Sequence, residues 1–299
     1  MTQDSEAIVG AGLKPAPTWD LKIERCKVLA ERYPFAREIL DFYLKLLTFQ
    51  KGLYEEVKGN KAAFTIEKVG HPPQADDVPL LKKGLKALLP HSPSLLSIAR
   101  EGPPLLAAIA KEVSSWGQTA WEAAIEDYQR SAYRAQPLFF FSRVLLQPYL
   151  QCAIEEVGAY CNTPLRTKKD DHAQRADTPV ETRCPFCGHR PQAGCLRPMD
   201  NASQRFLICS FCHGEWPYQR LSCSNCTESD KTKLSYIVAE GWPAVRLDTC
   251  ETCGQYIKTI DLGKDPEAVP VVDELATIPL DVWAREKGYE KLELNLVGI

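Results

Sequence analysis

CPFCG (184–188), CSFCHGEW (209–216), CSNC (223–226) and CETCG (250–254) place four Cys-x-x-Cys pairs inside one 70-residue stretch. The intervals between successive pairs are 21, 10 and 23 residues, so the array looks like one two-knuckle unit written twice. Two residues between cysteines permit a tight turn that aims both sulfurs at one ion while backbone N–H groups donate to the thiolates. Two such knuckles on neighbouring hairpins complete a tetrahedron of sulfurs at about 2.3 Å from zinc. Gly188 and Gly254 each follow the second cysteine of a knuckle, where a left-handed backbone is readily supplied by glycine. The candidate metal ligands are Cys184, Cys187, Cys209, Cys212, Cys223, Cys226, Cys250 and Cys253, for two ions of four thiolates each. Sequence order favours the first pair with the second and the third with the fourth, and a crossed pairing stays open.

The rest of the composition is that of an ordinary globular protein: 299 residues, 44% hydrophobic, 25% charged and a net charge of −3. Twelve cysteines are too dilute for a small disulfide scaffold. The opening MTQDSEAIVGAGLKPAP has no basic segment followed by an apolar one, and no apolar run approaches the roughly 20 residues of a membrane span. A cytoplasmic protein without membrane association is expected, and in that reducing setting paired cysteines are metal ligands or catalytic thiols before they are disulfides.

A thioredoxin-type pair should open a helix, and none of the four pairs is followed by a helical pattern. Eight thiolates also argue against hydrolysis, because a catalytic zinc keeps an open position for water. Tetrahedral sulfur suits zinc and rubredoxin-like iron equally, so spacing leaves the metal open. No nucleophile with an evident base, phosphate loop or paired-acid motif is present, and no enzyme activity is expected. Cys195, His189 and His213 are the spare reactive groups nearby; Cys195 reads as a packed thiol and His213 as a residue beside the ligands or at the surface. From Arg183 to Leu262 there are nine Lys or Arg against eight Asp or Glu. Two four-thiolate sites holding divalent ions would make this region net negative, the wrong sign for a phosphate-neutralising face. Zinc-ribbon nucleic-acid binding is thus a minor alternative, resting on Arg183, Arg190, Arg197 and Arg205.

Upstream, apolar residues recur at intervals of three and four. Phe35, Ile39, Phe42, Leu46, Phe49 and Leu53 predict a long helix after Pro34; Leu106, Ile109, Val113, Trp116 and Ala120 a second; Leu138, Phe141, Leu145, Tyr149 and Cys152 a third, with a kink at Pro148. Shorter helices are predicted over 21–32, 78–89 and 92–100, making a bundle in which Cys26, Cys152 and Cys161 are small buried hydrophobes. The polar, aperiodic 163–182 reads as a linker. Strands are predicted over 206–208, 216–221, 234–239, 244–248 and 255–262, each beside a cysteine pair. Helices return after Asp265, with Pro266 in the first turn, and at Pro279, ending near Gly288. The expected fold is α+β and multidomain: a helical domain over 1–162, the linker over 163–182, a first ribbon over 183–222, and a second ribbon with C-terminal helices over 223–299.

These residues resemble a known family. CPFCG, then CSFCHGEWPYQRLSCSNC, then DTCETCGQYIKTIDLGKDPEAVPVVDELATIPLDVWAREKGY, is similar to the formate dehydrogenase accessory protein FdhE family, and PFAREILDFYLKLLTFQKGL is a looser match to its helical segment. Cys195 and a slightly longer spacer before Cys250 depart from the family pattern. The resemblance implies a cytoplasmic maturation factor with a rubredoxin-like metal-binding C-terminal region. Such a factor is required for active formate dehydrogenase and associates with its catalytic subunit. The same eight cysteines would be its ligands. A rubredoxin-like iron protein exchanging electrons with that client is the alternative, and self-association is open. Trp216, Tyr218 and Arg220 are candidates for the client surface, with packing of Trp216 over the first ribbon as the other reading.

Overall fold

A computed structural model describes residues 17–60, 87–130, 138–160, 181–199 and 202–298. Cys161, nearly all of the expected linker and most of the helix expected over 78–89 lie outside the described residues.

Helix α1 (Trp19–Arg32) starts at Thr18, whose hydroxyl accepts the Leu21 N–H. A 3-10 turn at Pro34–Ala36 leads into α2 (Arg37–Gly59), which buries Leu40, Tyr43, Leu46, Leu47 and Leu53; Phe35, before the helix, stays 55% exposed. The single stripe expected from Leu106 to Ala120 is two helices. After α3 (Ser92–Arg100), α4 (Pro104–Val113) stops where the Ser114 and Ser115 hydroxyls turn back onto the Lys111 and Glu112 carbonyls, and α5 (Gln118–Arg130) starts beyond Gly117.

Helix α6 (Phe139–Tyr160) is buried at every position from Phe139 to Ile154, so it is the axis of the bundle rather than an amphipathic surface helix. Pro148 lies inside it. The missing N–H would strand the Val144 carbonyl one turn back, but Gln50 of α2 donates its side-chain N–H to that oxygen at 3.1 Å. The proline is therefore tolerated because a neighbouring helix replaces the lost donor.

The cysteine-bearing half is a mostly antiparallel sheet. Its strands are β1 (Pro191–Met199), β2 (Ala202–Cys209), β3 (Glu215–Tyr218), β4 (Leu234–Val238), β5 (Val245–Cys250) and β6 (Gln255–Asp261). Helices α7 (Pro270–Ala276) and α8 (Ile278–Glu286) and the short β7 (Glu290–Lys291) complete the chain. The helix expected at Asp265–Pro266 begins at Pro270 instead, because Asp265 spends one carboxylate oxygen on the Glu267 N–H and the other on Arg25.

The strand order is β3-β2-β1-β6-β5-β4, with β7 also on β6. Each ribbon supplies an antiparallel three-strand unit, and the two units meet where β1 and β6 run parallel from Ala193 opposite Lys258 to Leu196 opposite Asp261. The ribbons thus share one sheet. The bundle docks on it through α1: Arg25 forms a double hydrogen bond to Asp273 of α7, at 2.5 and 2.9 Å, and reaches Asp265 at 2.5 Å. Beneath α7, the buried Lys258 ammonium lies 3.0 Å from Glu274 and 2.5 Å from Asp281, and Lys291 closes the network on the same two carboxylates. Opposite charges matched in this way make their burial tolerable. Among the described residues no helix is long and apolar enough to cross a membrane.

At the ribbon seam, a Cβ on Gly194 would meet the Thr259 hydroxyl at 2.7 Å and the Phe206 carbonyl at 3.3 Å. Gly194→Ala is expected to push β1 from β6 and cost about 1–3 kcal/mol in urea unfolding; an unchanged midpoint would contradict this packing. Lys22 is fully buried, 2.9 Å from the Gln151 side-chain oxygen and 4.0 Å above the Trp19 ring. Burial lowers its pKa from 10.5 to about 7, against the attraction of Glu155. The unfolded chain keeps this proton up to 10.5 whereas the folded chain releases it near 7, so its contribution to stability rises with pH across that window. Urea midpoints of the wild type should gain on those of Lys22→Met between pH 7 and 9.5; a constant difference would contradict the assignment.

Candidate metal centre

Each knuckle is one tight turn closed by backbone bonds. The Gly188 N–H reaches the Cys184 carbonyl at 2.8 Å, Thr227 reaches Cys223 at 3.1 Å, and Gly254 reaches Cys250 at 2.9 Å. The residue after the second cysteine is left-handed in all four: Gly188 (φ 73°), His213 (φ 56°), Thr227 (φ 60°) and Gly254 (φ 67°). Glycine marks two of these positions in the sequence. His213 and Thr227 accept the same strained backbone, so the turn imposes the geometry even where the residue type resists it. The Phe211 N–H lies 3.3 Å from Cys209 Sγ and the Asn225 N–H 3.4 Å from Cys223 Sγ, the donors a thiolate needs.

The eight sulfurs fall into two groups, Cys184, Cys187, Cys209 and Cys212, and Cys223, Cys226, Cys250 and Cys253, each with its atoms within 4.8 Å of one another. Each group could hold a metal ion. In the first, the Cys184–Cys212, Cys187–Cys209 and Cys187–Cys212 sulfurs are 3.5, 3.3 and 3.5 Å apart. In the second, Cys223–Cys253 and Cys226–Cys250 are both 3.7 Å apart. A tetrahedron with metal–sulfur bonds of about 2.3 Å has edges of roughly 3.8 Å, whereas a disulfide needs about 2.05 Å. The donor set therefore fits a four-sulfur metal shell and not a pair of disulfides. Burial pushes the Cys187 and Cys212 thiols well above their ordinary range. Burial also opposes ionisation of Cys209, but hydrogen bonds from the other three sulfurs overcome it and hold that thiol well below its ordinary value.

The two groups differ in surroundings. The first is enclosed, its cysteines 0–3% exposed, and the bundle closes over it: Tyr128 of α5 packs edge-on against Phe211 at 5.0 Å and over His189 at 5.5 Å. The Ser210 carbonyl, inside the second knuckle, accepts from Arg143 at 2.8 Å and Gln147 at 3.1 Å, both on α6. In the second group Cys223 and Cys250 are buried but Cys226 and Cys253 are only half-buried.

The spare groups do not join either cluster. His189 is buried, its Nδ1 3.1 Å from the Cys187 carbonyl, and burial lowers its pKa. His213 is buried against Gln147. Cys195 is buried in β1 with its sulfur 3.9 Å from Glu215, which Arg197 holds at 2.7 Å. Two of the three residues proposed as a client surface are internal: Trp216 is 2% exposed and donates to the Glu181 carbonyl, and Tyr218 is 4% exposed and donates to the Cys223 carbonyl. Only Arg220 is exposed. Arg143 and Gln147, which tie the bundle to the first cluster, carry no sequence signal that sets them apart from the other polar residues of that helix, such as Ser142 and Gln151.

Residues 183–220 match the family model described as "FdhE, central domain" and residues 221–297 the one described as "FdhE, C-terminal domain". The chain is 31% identical to the Protein FdhE homolog of Stutzerimonas stutzeri (strain A1501), an alignment covering 95% of this chain and 90% of that protein. It is 26% identical to the homolog from Aquifex aeolicus (strain VF5), over 93% and 95% of the two chains. The crystal structure of the FdhE protein from Pseudomonas aeruginosa is similar with a TM-score of 0.64 and 25% identity, over 95% of this chain and 98% of that one.

The unequal burial of the clusters generates a prediction. Cys187→Ser/Cys212→Ser and Cys226→Ser/Cys253→Ser should each lower bound metal from two ions per chain to one by elemental mass spectrometry. Only the first pair should also expose α6 to limited proteolysis. Equal loosening of α6 by both pairs would contradict the packing described here.

Proposed function

Because the chain belongs to the FdhE family, we propose that it is an accessory factor for the maturation of formate dehydrogenase. It binds the immature catalytic subunit in the cytoplasm and is not part of the finished enzyme. The observation that carries this reading, beside family membership, is the closed all-sulfur character of both clusters. Four thiolates fill a tetrahedral shell, and a filled shell offers no position for a reacting water. A framework role in a binding protein suits such sites better than catalysis.

Cys184, Cys187, Cys209 and Cys212 are assigned as one ligand set and Cys223, Cys226, Cys250 and Cys253 as the other. When bound, zinc or iron locks two knuckles together, and iron also supplies a one-electron couple. The chain's own part is positional. Arg143 and Gln147 hold the Ser210 carbonyl, and with it the second knuckle, while Phe211 and Asn225 direct N–H groups at the sulfurs. The electron-transfer reading is favoured only at the second cluster, where Cys226 and Cys253 are half-buried.

Deletion of the gene should abolish formate dehydrogenase activity while the catalytic subunit is still synthesised, with both measured in the same extract by assay and immunoblot. Normal activity would reject the maturation reading. Colourless protein carrying two zinc ions per chain after anaerobic isolation would reject the redox version and leave the framework role standing.

A further inference from the structure

The two clusters share a donor set but not their surroundings. The four cysteines of the first are 0–3% exposed, the Tyr128, His189 and Phe211 rings pack together beside them, and the Ser210 carbonyl is held by the buried Arg143 and Gln147. In the second, Cys226 and Cys253 are half-buried. Cys223, Asn225 and Cys250 are among the residues that line a cleft of about 400 Å³ beside the exposed β4, a volume that takes a small molecule.

The contact that joins the knuckles of the second cluster is also at the surface. Glu228, which follows Cys226 and Thr227, accepts the Cys223 N–H on its backbone carbonyl at 2.8 Å. One oxygen of its carboxylate accepts the Ser229 and Asp230 N–H groups at 3.0 Å, and the other accepts the hydroxyl of Thr252, between Cys250 and Cys253, at 2.6 Å. Thr252 is exposed. Glu228 therefore holds the third knuckle against the fourth, as Arg143 and Gln147 hold the second knuckle against the bundle, but it does so through a hydroxyl open to solvent.

A filled tetrahedral shell exchanges its ion only when an incoming donor reaches the metal or a native sulfur swings away from it. At the first cluster either event requires local opening of the bundle against the sheet, whereas at the second two sulfurs already border solvent. We infer that the second cluster is the site at which the folded chain exchanges its metal with small chelators bearing sulfur or nitrogen donors, and that the Glu228–Thr252 contact sets the rate. The inference rests on the assignment of the eight cysteines as two ligand sets. In each exchange step a chelator donor and the Cys226 or Cys253 thiolate change places on the ion. One metal–donor bond forms, one metal–sulfur bond breaks, and the released thiolate takes a proton from water; no electron moves. The first cluster keeps its ion as part of the frame, so occupancy of the second can follow the chain's surroundings without loss of the fold.

The test loads the full chain with zinc and follows its transfer to an excess of the chromogenic chelator zincon. Release should come in two phases of one ion each, separated by at least about tenfold in rate. When the fast phase is complete, N-ethylmaleimide should label Cys223, Cys226, Cys250 and Cys253 and spare the other four ligands, as read by peptide mass spectrometry. Thr252→Val should speed the fast phase about tenfold and leave the slow phase unchanged, and Thr252→Ser, which keeps the hydroxyl, should restore the wild-type rate. Release of both ions at one rate, labelling spread evenly over all eight cysteines, or an unchanged fast phase in Thr252→Val would overturn the inference and keep the ligand assignment. A chain that takes up fewer than two zinc ions would overturn both.

Discussion

The carbonyl of Ser210 is the point on which the assembly of the two halves turns. It lies between Cys209 and Cys212, and two side chains of the buried axial helix, Arg143 and Gln147, both donate to it. Arg143 also reaches the Leu294 and Asn295 carbonyls and the Gln192 side chain, so one guanidinium joins the bundle, β1, a knuckle and the C-terminal tail. A buried cation is affordable here because carbonyl oxygens replace its water. Since knuckle position sets where two of the four sulfurs point, the shape of the first cluster depends on contacts made more than 60 residues earlier in the chain.

From that contact the division of labour follows. The first cluster is enclosed by Tyr128, Phe211 and His189 and acts as the joint between bundle and sheet. The second, reached through the parallel β1–β6 seam, lies toward the other end of the sheet, where Cys223 and Cys250 line a cleft beside the exposed β4. The arrangement separates a buried cluster at the bundle–sheet joint from a more accessible one.

The clusters were legible because Cys-x-x-Cys is a local signal whose spacing carries its geometry. Strand β1 was not among the expected strands: it contains Pro191, Gly194 and Pro198, residue types that ordinarily weaken strands, yet β1 is central. Its pairing with β6 spans only 193–196, so Pro198 faces no partner on that side, and Gly194 is required by the close approach of Thr259. Periodicity likewise ran through Ser114–Gly117, where serine hydroxyls compete for the helix carbonyls, and the general preference of interfaces for Trp and Tyr put Trp216 and Tyr218 among surface candidates although each donates to an internal carbonyl. For β1 and Trp216 what stayed hidden was a long-range partner, which single-sequence patterns do not encode.

The central claim is that each group of four cysteines forms a complete sulfur shell around one ion. Extended X-ray absorption fine structure at the metal edge of the purified full chain measures this directly. The account predicts four sulfur scatterers per metal at about 2.3 Å and no nitrogen or oxygen in the first shell. A shell containing nitrogen or oxygen, or fewer than four sulfurs, would contradict it.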